Sequence, residues 1–203
     1  MNNSAILKSE LESLYLSGNS MSEIALSLKC SIHKVVYWMN KYGIKKRNRS
    51  EALYIKLNPN GDPFKIKTVI SPAEKLLFGL GLGIYWGEGE RVSKGKVRVA
   101  NTDSNLIKVF RRFLIEICQV EISRIHYYLI CYKDSDLNKV RLYWSKTLEI
   151  SDKKFGKIVQ ITPRGKGSYR TKSQNGVCII EISNIKLKNW LMQQLVKLKN
   201  MPT

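Results

Sequence analysis

Leu76-Leu77-Phe78-Gly79-Leu80-Gly81-Leu82-Gly83-Ile84-Tyr85-Trp86-Gly87-Glu88-Gly89-Glu90 is an apolar run that ends abruptly in acid. Ser71-Pro72-Ala73-Glu74 lies just before it and carries the marks of a helix start. Ser is a cap, Pro suits the first helical position, and the acid suits the first turn. A bilayer span needs about 20 apolar residues, and this run is charged before that length. The stretch therefore predicts a buried helix.

Glycine inside a helix costs roughly 1 kcal/mol relative to alanine, so Gly79, Gly81, Gly83 and Gly87 need a compensating contact. Gly79, Gly83 and Gly87 are spaced i, i+4, i+8 and share one face. A face without side chains lets another backbone approach closely. The natural partner is an identical helix from a second copy, which makes Gly79, Gly83 and Gly87 the expected dimer interface. Glu88 would then end close to its twin. Two carboxylates at two helix C-termini repel each other and face carbonyl dipoles unless cations sit there. Divalent metals over a phosphodiester satisfy those charges and suit hydrolysis.

Composition points the same way. Among 203 residues, 35 Lys and Arg stand against 16 Asp and Glu, a formal net charge of +19. Such an excess favours a polyanion, with nucleic acid first. Cys30, Cys118, Cys131 and Cys178 lack metal-ligand spacing, and two histidines are too few to suggest a zinc site. Reduced, mostly buried thiols are expected. No leader or spanning segment is evident, so the expectation is a cytoplasmic, DNA-associated protein with no membrane partner.

Gly81-Leu82-Gly83-Ile84-Tyr85-Trp86-Gly87-Glu88-Gly89 resembles the signature of the LAGLIDADG homing endonucleases. Val97-Arg98-Val99-Ala100-Asn101-Thr102-Asp103, a strand leading into a capped helix, extends the likeness. The resemblance implies an α+β αββαββα domain whose sheet forms a saddle over DNA. It places Gly83 and Gly87 at the small packing positions. It makes Glu88, with the Gly87 carbonyl, the ligand of Mg²⁺ or Mn²⁺. A chain with one signature is expected to act as a homodimer. The family pocket also holds a strand-borne lysine and a polar group that organises water. Lys157 and Gln160 are the candidates, by location alone. Two departures stand out: a short first hairpin, with Val92 and Lys96–Asn101 joined across residues 93–95, and an extra helix over Asp134–Leu148.

Ahead of this lies a different pattern. Helices are expected over Ala5–Leu16, from Met21 to Leu28, and from Ser31 to about Tyr42, with Ile24, Ala25, Leu28, Val35 and Met39 inward. This is helix-turn-helix spacing, and residues 1–55 resemble the modules of resolvases and transposases. The second helix of such a module enters the major groove. Its exposed residues here are Ile32, His33, Lys34, Val36, Tyr37 and Asn40. Asn40 suits adenine, Lys34 suits guanine or phosphate, and His33 suits a phosphate rather than catalysis. Lys45, Lys46, Arg47 and Arg49 follow as phosphate contacts.

Asn58-Pro59-Asn60-Gly61-Asp62-Pro63 is the clearest linker. The expected division is a helix-turn-helix domain at 1–57, a linker at 58–70 and an endonuclease-like domain at 71–203. Within the last, helices are expected from Thr102 or Ser104 to Cys118 and over Asn184–Lys199. Strands are expected over Arg124–Tyr132, Gly156–Thr162 and Gly176–Ser183. Between the last two strands, Pro163 to Asn175 reads as a basic arm. Arg164, Lys166, Arg170 and Lys172 suit phosphates, with Tyr169 or Gln174 near bases.

The expected activity is site-specific, metal-dependent cleavage of double-stranded DNA by a homodimer. A non-cleaving DNA-binding transcriptional regulator of the same fold is the alternative. An RNA-directed role, like that of the related intron-splicing maturases, stays open.

Overall fold

The computed structural model describes residues 6–68, 71–163 and 174–200. The chain divides into two compact units, Met1–Asp62 and Pro63–Thr203. Among the described residues no helix is long and apolar enough to cross a membrane.

Among the described residues the first unit holds four short helices: α1 (Lys8–Leu16), α2 (Met21–Ser27), α3 (Ile32–Lys41) and α4 (Arg49–Leu57). Local signals set their ends. Ser20 and Glu23 form a reciprocal capping box on α2, and Asn48 and Glu51 do the same on α4. The Ser31 hydroxyl accepts from the Lys34 amide to start α3. Gly43 ends that helix at φ +69°, a left-handed conformation that glycine adopts without steric cost. Leu11, Ile24, Val35 and Met39 are fully buried between α1, α2 and α3. The Tyr42 hydroxyl ties α3 back to the Ile6 carbonyl at 2.6 Å.

The second unit is a mixed α+β body. Its elements run α5 (Pro72–Glu88), β1 (Lys96–Asn101), α6 (Ser104–Arg112), β2 (His126–Tyr132), α7 (Leu137–Leu148), β3 (Val159–Ile161), β4 (Val177–Ser183) and α8 (Ile185–Lys199). The strands form one sheet in the order β1-β4-β2-β3. β4 pairs antiparallel with β1 and β2, whereas β3 runs parallel to β2. Val97 and Val99, Tyr127 and Leu129, and Cys178 and Ile180 alternate inward and are buried against the helices. Tyr85, Phe110 and Phe113 form an aromatic stack in that core, with centroids 6.1 and 5.9 Å apart. After Arg112, α6 widens into a π-type turn over Phe113–Ile117.

Three sequence expectations change. The first hairpin does not form. Val92 is exposed, the Glu90 carboxylate accepts the Ser93 amide at 2.7 Å and turns the chain there, and only Gly89 bridges to Val99. The strand expected over Gly156–Thr162 shortens to β3 and pairs parallel to β2, because α7 intervenes and returns the chain in the same direction. Among the described residues the element order is therefore α-β-α-β-α-β-β-α in place of αββαββα with one added helix. The expected linker at 58–70 is also partly structured. The Lys65 and Lys67 amides bond the Cys118 and Ile117 carbonyls at 3.0 Å, and Phe64 and Ile66 pack on the second core.

Candidate functional site: the open face of α5 and its terminal acid

α5 begins as the sequence dictates. The Ser71 hydroxyl accepts the Glu74 amide, and the Glu74 carboxylate accepts the Ser71 amide. Lys67 pairs with the same carboxylate, and its hydrogen bond is the first cause holding Glu74 below its ordinary pKa.

The helical glycines then part company. Gly81 is buried, and an added Cβ there would come within 2.7 Å of Phe113 Cβ. Gly81 is thus fully explained by packing inside one chain. Gly79, Gly83 and Gly87 meet nothing within 4 Å. They lie exposed on a groove lined also by Leu76, Leu80 and Ile84, with Lys75 at one end and Glu88 at the other. Leu76 is 65% exposed and Leu80 47%. The result is an apolar helix face, bordered by Leu106 of α6, that is open at the three glycines.

Glu88 is the last residue of α5 and is exposed. The backbone after it is fastened at several points. The Gly89 amide donates to Tyr85 O at 3.0 Å, and the Glu90 amide donates to Arg98 O on β1 at 2.9 Å. Tyr85, fully buried, donates its hydroxyl to Glu90 O at 3.2 Å. Lys188 of α8, only 3% exposed, donates to the Tyr85 hydroxyl at 2.8 Å and also to Glu90 O. Burial first, then the Glu90 charge, pushes the Tyr85 phenol up to about 12. Burial lowers the Lys188 pKa, with Glu90 opposing and Arg91 adding to the shift.

The donors at this helix end are hard oxygens: the Glu88 carboxylate and the Gly87 carbonyl, which lies in the last turn where helical amides no longer follow. That chemistry suits Mg²⁺ or Mn²⁺, which bind through one or two carboxylates and complete their shell with water and phosphate. Among the described residues no group of three His, Cys, Asp or Glu gathers to hold a metal within one chain.

Lys157 and Gln160 do not join this cluster. Gly89 leaves α5 against β1, while Gln160 sits on β3 at the opposite edge of the sheet. Three strand spacings, about 14 Å, separate those edges. The Gln160 amide instead points back to the Lys133 carbonyl at 3.4 Å.

No protein-family model, curated protein or solved structure matches this chain. The functional reading therefore rests on geometry and residue chemistry.

In the first unit, α3 exposes Ile32, His33, Tyr37 and Asn40, with Lys34 and Val36 half-buried beside them. Lys45, Lys46 and Arg49 are exposed. Arg47 behaves differently. Its guanidinium lies 3.8 Å from the Tyr15 ring centroid and its amide donates to the Tyr15 hydroxyl at 2.7 Å. It braces the bundle. In the basic arm, Gln174 is exposed. Arg164, Lys166, Tyr169, Arg170 and Lys172 lie outside the described residues.

Two groups escaped the sequence reading. Glu181, 3% exposed on β4, accepts from Lys96 at 3.0 Å and from Arg98 Nε at 2.5 Å. Its signal was an acid inside the apolar run Cys178 to Ile182. Lys188 was the other. It stands at i−3 and i−7 from Leu191 and Leu195, on the apolar stripe of α8, where a lysine is out of place.

Proposed function

We propose that this chain is a divalent-metal-dependent endonuclease for double-stranded DNA, of the LAGLIDADG type, acting as a homodimer through α5. One observation carries the reading. The groove along α5 is bare at Gly79, Gly83 and Gly87 and ends at an exposed terminal acid. An exposed apolar helix face marks an interface, and a smooth face suits a second copy of the same helix.

In this mechanism two α5 helices cross on their glycines, and each brings one Glu88 toward the dyad. Glu88 and the Gly87 carbonyl would hold the cation, and the chemistry it would supply there is Lewis-acid activation of the scissile phosphate and of an attacking water. Lys75 adds positive charge beside the groove, and Lys96 with Arg98 leaves one positive charge in excess after pairing with Glu181. The α2–α3 pair acts as a helix-turn-helix, with Ile32, His33, Tyr37 and Asn40 toward the major groove.

The test is plasmid cleavage in Mg²⁺ or Mn²⁺ by the native chain and by Glu88→Gln. Cleavage lost in the variant, with DNA binding retained, supports the reading. Equal cleavage by both refutes it.

A second reading is a DNA-binding regulator that does not cut. It is favoured by the place of Gln160 across the sheet from the α5 end, and by the finding that among the described residues no group of three His, Cys, Asp or Glu gathers to hold a metal. Site-specific binding with no nicking by the native chain in either metal would select it.

A further inference from the structure

Lys188 is placed where a lysine is costly twice over. It is 3% exposed, and it sits in the first turns of α8, where the helix dipole disfavours positive charge. A methionine or leucine would fill the same space at lower cost, as Leu187 and Leu191 do on either side. Something at the far end of the side chain must select the ammonium.

That end is the turn after Glu88. The Lys188 ammonium donates to the Tyr85 hydroxyl and to the Glu90 carbonyl. Tyr85, having accepted from Lys188, turns its own hydrogen to the same carbonyl. Two donors thus converge on one backbone oxygen. The Glu90 amide is held by β1 on the other side of that residue. Gly89 cannot carry a side chain there, since a Cβ would come within 3.0 Å of Tyr85. Glu88 therefore stands between two fixed points, the last turn of α5 and the bolted Gly89–Glu90 segment.

We propose that Lys188 is a positioning residue. Acting through Tyr85 and the Glu90 carbonyl, it holds the helix end so that Glu88 is presented to a divalent cation in one geometry. This inference rests on the nuclease reading of Glu88. Lys188 touches neither metal nor phosphate. Its effect passes through the backbone, as outer-shell partners of metal ligands commonly act.

The experiment uses Tb³⁺ as an oxygen-seeking probe, titrated into the full-length chain. Emission is excited through tryptophan, since Trp86 shares the last turn of α5 with Glu88. Melting midpoints and deuterium uptake of residues 86–92 are recorded in parallel. The native chain is expected to sensitise Tb³⁺, and Glu88→Gln to abolish the signal. Lys188→Met is expected to weaken Tb³⁺ binding about tenfold or more. Its deuterium uptake at residues 86–92 should rise while the melting midpoint holds or increases, an outcome that a merely structural lysine would not give. Tyr85→Phe removes one hydroxyl and should weaken binding in the same direction by less; it decides the matter should Lys188→Met fail to fold. Unchanged Tb³⁺ affinity in both variants, with Glu88→Gln still silent, overturns the positioning role alone. Tb³⁺ binding that survives Glu88→Gln overturns the nuclease reading and this inference with it.

Discussion

Gly81 and Phe113 occupy adjoining space so completely that a single carbon added to the glycine would fall below 3.0 Å from the ring. Gly83, about half a turn further along α5, has nothing within 4 Å. Two glycines of the same motif thus answer different demands, one inside the chain and one outside it.

Gly81→Ala should destabilise the second unit by about 1–3 kcal/mol through overpacking, less the helix gain of about 1 kcal/mol. Gly83→Ala should raise the thermal stability of the isolated chain by up to about 1 kcal/mol. Thermal melts of the two variants check this. Equal responses would show that Phe113 yields freely or that Gly83 is not open.

Association should respond in the reverse sense. Gly83→Leu places a side chain in the middle of the bare face and should abolish dimer formation measured by sedimentation. Folding, followed by circular dichroism, should stay intact. A monomeric native chain at micromolar concentration, or a Gly83→Leu variant that dimerises as well as the native chain, would remove the proposed interface.

Glu181 gives a pH prediction. Burial alone would raise its pKa, but hydrogen bonds from Lys96 and Arg98, with their charges, hold it below the ordinary 4.5. A depressed folded pKa contributes stability above the unfolded value and loses it as pH falls through the folded one. The native chain should therefore exceed Glu181→Gln in stability at neutral pH, and the gap should close below about pH 4.5. Lys96 and Arg98 are 46% and 37% exposed. The gap is then modest after solvent screening, about 1–2 kcal/mol. Urea unfolding across a pH series from acid to neutral reads it.

DNA binding by the first unit separates by kind of residue. Asn40→Ala should cost about 1–3 kcal/mol on a preferred site and relax its sequence preference. Lys45→Ala with Lys46→Ala should weaken all sequences alike and lower the salt slope by roughly one for each phosphate no longer neutralised. Arg47→Ala should act on stability instead, because its guanidinium packs on Tyr15. Binding titrations over a salt series distinguish the three.

Thiol chemistry should follow burial. Burial raises the Cys118 pKa, and it pushes Cys178 up to about 12. Cys30 is half-buried, whereas Cys118, Cys131 and Cys178 are buried. Native protein at mildly alkaline pH should therefore label at Cys30 first, with Cys118 and Cys178 reacting only after unfolding. Mass spectrometry of alkylated peptides checks the order.

What the sequence by itself determined is local. Ser71, Pro72 and Glu74 fix the start of α5, Ser20 and Glu23 fix α2, and Asn184 starts α8, because a cap bonds amides only three residues away. The common face of Gly79, Gly83 and Gly87 is helical arithmetic, and so is the acid at its end. The positive excess needs no fold at all. What only the tertiary structure decided depends on partners far along the chain. Strand order put Gln160 across the sheet from Gly89, and Phe113 separated Gly81 from its neighbours in the motif. Lys188 met Tyr85 across 103 positions of sequence. Periodicity can mark a lysine as misplaced on an apolar stripe, but the group that accepts its hydrogen bonds is fixed only when α5 and α8 pack together.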